Sequence, residues 1–317
     1  SISKHLILLI SKQYDIMKRR RFCADGIMHV YQRTTNGFNL FYSVEDFLVF
    51  YTIVSVQAKR IGICLLGMCL MIDHVHLLLS TENLKQMSMF ISAYTSLYAR
   101  EFNVHTGRQG PLFESPYGSA VKLDLKRIRS AIAYLFNNPV EKKLCRKAEQ
   151  YKWNFLSYYE NTTHINKATC SRKLRRSIDI VQYSYKADRY LNHTLIENIA
   201  KGLDTKEKEM LISYIIWTYF PFDKHRLISY YGSYDSMLIA INSNTGSEYD
   251  IAETCWCKSD RPYREIILYL KKAGHEDIHS VITLSLEEKL KIMMYLKRHT
   301  SASNIQIMKF LHIAPHK

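Results

Sequence analysis

Residues 63–80 constrain the fold more than any other part of the sequence. This segment follows Gly62, is almost entirely apolar, and is interrupted only around residues 71–73. Two apolar runs separated by a short break predict two buried β-strands joined by a tight turn. In the second strand His74 and His76 alternate with apolar residues, so the two imidazoles point to the same face of the strand.

The residues before this pair of strands predict a strand and a helix. Residues 27–32 are rich in β-forming residues, and Asn36-Gly37 marks a turn after them. Ser43 with Asp46 three positions later is a capping box, which predicts an amphipathic helix as far as about Arg60.

The residues after the pair complete one sheet domain. We predict a helix over residues 84–102, a strand over 117–123, and a further helix that begins at the N-cap Asp124. This last helix is expected to end near Pro139, because proline disfavours helical geometry in the residue before it. The order β-α-β-β-α-β-α predicts an α+β fold, a ferredoxin-like sheet with helices packed on it.

Composition favours a folded protein with a polyanionic partner. Hydrophobic residues make up 47% of the 317 residues, and the net charge is +15. This excess indicates nucleic acid as the partner, although a merely basic protein has the same composition. The seven cysteines show no disulfide spacing, and no apolar run approaches the roughly 20 residues of a membrane span. We therefore expect a cytoplasmic protein with free thiols.

The chain changes character after residue 160. Residues 1–160 are predicted to form the sheet domain, 161–180 a basic linker or surface helix, and 181–317 a mainly helical C-terminal domain. Residues 303–311 resemble the first half of a helix-turn-helix, so they form either a packing element or part of a DNA reader. Cys255-Trp256-Cys257, with His275 and His279 nearby, lacks a zinc spacing and is interpreted as structural.

The helix that follows Asp124 carries a second group of candidate residues. Tyr134 lies well around the helix from its apolar stripe, which is formed by Leu125, Ile128, Ile132 and Leu135. Asn138 follows Tyr134 by one turn, so the two side chains share a face. The Asn138 amide oxygen could join His74 and His76 as a metal ligand. The alternatives are two satisfied histidines at a strand end and an ordinary amphipathic tyrosine.

Together these motifs resemble a known family. A His-x-His strand, followed about 60 residues later by a helix with Tyr-x-x-x-Asn-Pro, resembles the HUH single-strand transposases, and most closely the REP-associated tyrosine transposases. The order of four further segments agrees, namely residues 26–30, 69–71, 110–114 and 151–158. The resemblance spans about residues 22–160. It departs at Ile72-Asp73, where the family usually has Pro-Asn, and at Glu141-Lys142, where it usually has Arg-Ala.

The resemblance implies an HUH nuclease domain with a divalent cation, Mg²⁺ or Mn²⁺, held by His74, His76 and Asn138. Tyr134 is then the nucleophile, which attacks single-stranded DNA near a hairpin and forms a 5′-phosphotyrosine. Asp73 either orients a histidine or is a solvated carboxylate at the strand end. No membrane contact and no small-molecule cofactor are expected, and relatives include both monomers and homodimers.

Basic residues flank the Tyr134 helix at both ends and predict a groove that follows phosphates. The expected DNA contacts are Lys122, Lys126, Arg127, Arg129, Lys142, Lys143, Arg146 and Lys147. For any single lysine the alternative is a solvated charge.

Two rival functions share some of these features. A rolling-circle or relaxase-type nickase uses the same histidine and tyrosine chemistry, but the motif order and the Asn-Pro after the tyrosine favour a transposase. A non-catalytic DNA-binding regulator needs only the basic surface and the C-terminal helices, and a functional metal site would speak against it.

Overall fold

The computed structural model describes residues 22–23, 26–160, 170–243 and 259–314. Its centre is a four-stranded antiparallel sheet with the strand order β2-β3-β1-β4. The strands are β1 (Ile27–Arg33), β2 (Cys64–Leu70), β3 (His74–Ser80) and β4 (Gly118–Lys122). Together with the helices between them, these strands confirm the predicted ferredoxin-like order.

Three helices belong to the sheet domain. They are α1 (Val44–Ile61), α2 (Leu84–Thr106) and α3 (Leu125–Glu141). Ser43 and Asp46 form the predicted capping box of α1, and Gly62 ends that helix with a φ of 76°. This positive φ is readily adopted by glycine, which has no Cβ.

α3 ends at Glu141, close to the predicted end near Pro139, but it continues through this proline instead of stopping before it. Pro139 lacks the N–H that would bond to the carbonyl one turn earlier, but it lies inside the core with its neighbours. The backbone N–H of Lys142 bonds to Asn138 O, and that of Leu144 bonds to Pro139 O. Tertiary burial and these bonds stabilise the last turn against the local preference of the proline.

α3 packs closely on the sheet face that carries the histidines. Gly67 of β2 lies beneath it, and a Cβ at this position would come within 3.1 Å of the Phe136 ring. Tyr134 was expected to lie away from the core, but it is only 4% exposed. Leu125, expected in the core stripe, is 49% exposed because it lies at the open beginning of the helix.

Residues after 170 form helices that pack on the sheet domain. They are α4 (Arg172–Lys186), α5 (His193–Ala200), α6 (Thr205–Thr218), α7 (Lys224–Ser229), α8 (Tyr234–Asn242), α9 (Pro262–Lys272), α10 (Leu286–His299) and α11 (Asn304–Phe310). α4 buries Leu174, Ile178 and Val181 and continues across the predicted boundary at residue 180. The predicted linker therefore includes a packed helix, while residues 161–169 lie outside the described part.

Contacts between the two parts of the chain are extensive. Tyr51 of α1 donates a hydrogen bond to Ile216 O at 2.8 Å, and Asp223 N donates one to Leu65 O of β2 at 2.8 Å. The buried apolar residues of both parts form one continuous core. None of the described helices is long and apolar enough to cross a membrane.

The segment predicted to resemble half of a helix-turn-helix is α11 with its N-cap Ser303. Ile307, Phe310 and Leu311 are completely buried, and the Tyr42 hydroxyl donates a hydrogen bond to Phe310 O at 2.7 Å. α11 is thus a packing element against the loop that follows β1. The described cysteines, at positions 23, 64, 69, 145 and 170, form no disulfide with one another. Cys255 and Cys257 lie outside the described residues.

Candidate active site

Three histidines meet on one face of the sheet. His74 and His76 of β3 share this face, as strand alternation predicts, and their ring centroids are 5.0 Å apart. The third is His29 of β1, whose Nε2 lies 3.1 Å from His76 Nδ1. Both His29 and His76 are completely buried. Because the His76 Nδ1 faces His29, the Nε2 atom of His76 is the nitrogen directed toward α3.

Asp73 fixes the other histidine. Its Oδ1 lies 2.7 Å from His74 Nδ1, and its Oδ2 lies 2.7 Å from Lys309 Nζ. Burial by itself raises the pKa of the Asp73 carboxyl, but the hydrogen bond and charge of His74, together with Lys309, hold this pKa well below its ordinary value. Of the two interpretations of Asp73, the structure therefore supports the one in which it orients a histidine.

Tyr134 and Asn138 approach the histidines from α3. The Tyr134 ring centroid is 5.7 Å from that of His76 and 5.8 Å from that of His29. One turn later, the Asn138 Nδ2 lies 3.4 Å from His76 Nε2. The structure thus brings together all four residues that the sequence singled out for chemistry, and it adds His29 to them.

These residues fit a divalent cation. The Asn138 side chain is 1% exposed, and its Oδ1 has no hydrogen-bond partner among the described residues. A buried amide oxygen on a side chain whose Nδ2 lies against an imidazole nitrogen suits a cation such as Mn²⁺. Within the described part of the chain, no group of three or more His, Cys, Asp or Glu residues is placed to hold a metal. The fit therefore depends on the amide of Asn138.

Both histidines have the support that metal-binding histidines usually need. Such a ligand commonly engages its second ring nitrogen with a carboxylate or another acceptor, which fixes the tautomer and the ring orientation. For His74 this partner is Asp73, and for His76 it is His29. In each ring Nε2 is then the nitrogen that would bind a cation.

A further carboxylate, Asp260, lies at the edge of the site. Its backbone N–H donates to Lys142 O at 3.3 Å, the side chain is buried, and Oδ2 has no hydrogen-bond partner among the described residues. Burial, followed by repulsion from Asp73, raises the pKa of Asp260 to about 6. The region beyond residue 259 therefore contributes charge to the surroundings of the histidines.

The predicted DNA contacts divide into three groups. Those fully at the surface are Lys126, Arg127, Lys143, Arg146 and Lys147. Lys142 is half-buried. Arg127 also pairs with Asp124 across 3.3 Å, an exposed ion pair of little energetic consequence.

The remaining two predicted DNA contacts are Lys122 and Arg129. Lys122 is 1% exposed, since it sits at the end of β4 on the face covered by α3. Arg129 donates from Nε to Tyr230 O at 2.6 Å and lies over the Tyr231 ring at 5.5 Å. Lys122 is therefore not available at the surface, whereas Arg129 is exposed but is engaged with Tyr230 and Tyr231.

Sequence reasoning missed His29 and Lys309 as part of the site. His29 is the one polar residue among the first four of β1, and such a residue in a buried strand needs a partner. That signal was available in the sequence. Lys309 gave no signal, because it is 236 residues from Asp73 and its role depends on how α11 packs.

One of the comparisons with known proteins agrees with the resemblance for part of the chain. A model of the IS200-like transposase family matches residues 25–121, which confirms the resemblance there; the match ends before Tyr134. No curated protein matches the sequence. A solved structure of a REP-associated tyrosine transposase bound to a REP hairpin is similar at 10% identity and a TM-score of 0.36, covering 47% of this chain and 93% of that one.

Proposed function

We propose that this protein is a metal-dependent transposase and endonuclease that cleaves and rejoins single-stranded DNA near a hairpin. The observation that carries the proposal is the position of Tyr134, which lies 5.7 Å from the His76 ring and one helical turn from Asn138. The family match over residues 25–121 supports the same class of enzyme. A basic chain of net charge +15 is consistent with a DNA substrate.

Tyr134 is the proposed nucleophile. Its phenol oxygen forms a bond to the scissile phosphorus while the bond from phosphorus to the 3′ oxygen breaks. The phenol loses its proton to solvent, and the departing 3′ oxygen gains one. The products are a 5′-phosphotyrosine and a free 3′-hydroxyl. Attack by a 3′-hydroxyl reverses the step and releases the phenol, so rejoining needs no external energy source.

Burial of the tyrosine beside His29 and His76 has a chemical consequence. A fixed ring loses little conformational freedom on reaching the phosphorus, and neighbouring side chains exclude water that would compete as nucleophile. His74, His76 and Asn138 would hold the cation. Once bound, it would neutralise negative charge on the phosphate. The exposed basic residues before and after Tyr134 would bind the DNA backbone on either side.

The test is a search for the covalent adduct. The full chain is incubated with single-stranded hairpin oligonucleotides and Mn²⁺ or Mg²⁺, and the products are separated on a denaturing protein gel. Since a 5′-phosphotyrosine keeps the downstream fragment, an oligonucleotide labelled at its 3′ end should give a retarded protein band. The same oligonucleotide labelled at its 5′ end should give only a shorter free fragment with an extendable 3′-hydroxyl.

Matched variants decide whether the site is responsible. Tyr134→Phe, His76→Ala and a metal chelator should each abolish the retarded band. Tyr94→Phe is the control, because Tyr94 is also buried and its hydroxyl has no partner among the described residues. Tight hairpin binding without an adduct under all conditions would contradict the proposal and favour a DNA-binding regulator. An adduct that survives in Tyr134→Phe would assign the nucleophile elsewhere.

A further inference from the structure

A chain of polar contacts connects the C-terminal helix to the candidate metal site. Lys309 Nζ of α11 lies 2.7 Å from Asp73 Oδ2, and Asp73 Oδ1 lies 2.7 Å from His74 Nδ1. The three side chains are between 13% and 18% exposed, so solvent screens these contacts only weakly. Both carboxylate oxygens of Asp73 are engaged, one by the ammonium group and one by the imidazole.

The position of Lys309 is determined by more than this ion pair. Its carbonyl oxygen accepts a hydrogen bond from Asn39 N at 3.2 Å. Its aliphatic stem passes directly over Gly37, where an added Cβ would lie 2.9 Å from Lys309 Cε. Near the end of α11, His312 stacks on Phe38 with 4.4 Å between ring centroids. Lys309 is therefore held in one place, unlike a surface lysine that samples many rotamers.

The arrangement has a direct consequence for His74. A carboxylate that accepts a hydrogen bond from Nδ1–H keeps the lone pair of the imidazole on Nε2, the nitrogen that would bind a cation. Without Lys309 the Asp73 carboxylate would lose its second anchor and could rotate away from the ring. His74 would then populate both tautomers and several ring orientations.

We propose that Lys309 is a positioning residue, which acts through Asp73 to hold His74 in the tautomer and orientation required for metal binding. The C-terminal region is then part of the metal site, although it lies far outside the residues that match the family model. This inference rests on the proposed function, since it takes His74 as a metal ligand. The alternative is an ion pair that only attaches α11 to the sheet domain.

The test uses the full chain with the variants Lys309→Met and Lys309→Arg, and with Lys291→Met as the control. Lys291 is an exposed lysine of α10 that pairs with Glu287 at 2.7 Å, so its loss alters the net charge equally without removing a partner of Asp73. Two quantities are measured, the affinity for Mn²⁺ by electron paramagnetic resonance titration and the His74 tautomer by ¹⁵N NMR of the imidazoles. His74→Gln assigns the His74 signals.

We expect Lys309→Met to weaken Mn²⁺ binding about 10–100-fold and to convert His74 into a mixture of tautomers. Lys309→Arg should restore most of both, and Lys291→Met should behave as the wild type. Thermal unfolding of each sample shows that the measurements are made on folded protein. If Lys309→Met does not fold, Lys309→Gln is measured in its place, because it removes the ammonium charge that anchors Asp73 and keeps a polar side chain.

The outcomes separate this inference from the proposed function. Unchanged Mn²⁺ affinity and an unchanged His74 tautomer in Lys309→Met would overturn the positioning role, even where the wild type forms the DNA adduct. A wild type whose Mn²⁺ affinity depends on Lys309 but which forms no adduct would contradict the proposed function and support the positioning role. A wild type that binds no Mn²⁺ would overturn both.

Discussion

His74 and His76 lie two residues apart, yet different partners orient them. Asp73, the adjacent residue, fixes His74, whereas His29 comes from the neighbouring strand to fix His76. His29 Nε2 lies 3.1 Å from His76 Nδ1, and no solvent reaches either ring. A hydrogen bond between buried rings is effective because water cannot compete for the same atoms. His29 therefore has the same orienting role toward His76 that Asp73 has toward His74.

We predict that His29→Ala lowers both Mn²⁺ affinity and the rate of adduct formation about 10–100-fold, because His76 loses the partner that fixes its ring. His29→Gln should retain part of the activity, since its amide can replace the imidazole nitrogen. Titration with Mn²⁺ and timed adduct assays measure these effects, with the exposed His299→Ala as control. A His29→Ala protein with wild-type values would remove His29 from the site.

Gly118 of β4 is required by a contact on the same sheet face. Gly118 pairs with Tyr31, and a Cβ at Gly118 would overlap the Tyr31 ring. The Tyr31 ring therefore packs directly against the backbone of β4 at Gly118.

We predict that Gly118→Ala lowers the free energy of unfolding by about 1–3 kcal/mol, because the ring must leave its place. In a Tyr31→Ala background the same substitution should cost much less, since the obstructing ring is gone. Urea unfolding of the four proteins in this cycle measures the coupling. Equal costs in both backgrounds would contradict the contact.

At the scale of elements, a buried carboxylate joins three parts of the chain. Asp46 near the beginning of α1 accepts from His193 Nε2 of α5 at 2.9 Å and from His279 Nε2 at 2.9 Å. It also caps α1 and accepts from Tyr42 N at 2.7 Å. His279 belongs to a short 3-10 helix, Ile278–Ile282, that precedes α10. Asp46 therefore attaches both α5 and the C-terminal helices to the sheet domain.

We predict that Asp46→Ala costs about 3–5 kcal/mol of unfolding free energy, because it leaves two buried histidines without their acceptor. Asp188→Asn is the control, since that carboxylate forms an exposed ion pair with Lys59 and asparagine tolerates the φ of 51° at this position, so the loss of charge should cost little. Chemical unfolding at neutral pH measures both. A cost below about 1 kcal/mol for Asp46→Ala would show that the cluster does not stabilise the fold.

The same cluster predicts how stability depends on pH. Burial by itself lowers the pKa of His279, but Asp46 and then Asp277 outweigh it, so the folded pKa lies above the ordinary value. His279 thus stabilises the fold fully below about pH 6.5, and this contribution is lost as the pH rises through the folded pKa. His105 lies nearby, and burial and then His193 and His279 lower its pKa. Its contribution to the stability of the fold therefore changes with pH in the opposite direction.

The pKa of Asp46 is lowered by the two histidines despite its burial, so its contribution is constant above the ordinary aspartate pKa. We therefore expect the difference in unfolding free energy between the wild type and His279→Gln to be largest near pH 6 and to shrink toward pH 9. Urea unfolding at several pH values measures this difference. A difference that grows with pH would contradict the assigned direction.

For the whole molecule, the charge that matters for DNA is the exposed basic charge before and after α3 in the sequence. The net charge is +15, and the exposed basic residues around α3 lie on both sides of the buried Tyr134. Binding of a strand along this surface would release counterions, so the logarithm of the binding constant should fall linearly with the logarithm of the salt concentration. Lys122, which is buried, should not contribute to this dependence.

We predict that each of Lys143→Met and Arg146→Met reduces the slope of that dependence by about 0.7, the value for one phosphate contact on a single strand. Lys291→Met changes an exposed residue of α10 and should leave the slope unchanged. Fluorescence anisotropy with a labelled hairpin at several salt concentrations measures the slopes. Equal slopes for all three variants would place the DNA path elsewhere.

Features that depend only on neighbouring residues could be predicted from the sequence. Alternation placed His74 and His76 on one face, the capping box began α1, and one helical turn aligned Tyr134 with Asn138. These patterns are local, because each follows from the period of a strand or helix and from the hydrogen bonds at its ends. The same local rules failed at Pro139, where burial kept the helix intact.

The tertiary structure, by contrast, determines which distant residues contact the site. His29 meets His76 because β1 and β3 pair, and Lys309 reaches Asp73 because α11 packs on the loop after β1. It also decided that Lys122 is buried while Lys126 is exposed. The physical reason is that burial and long-range contacts depend on the whole set of packed surfaces, and no periodicity in the chain records which of them will meet.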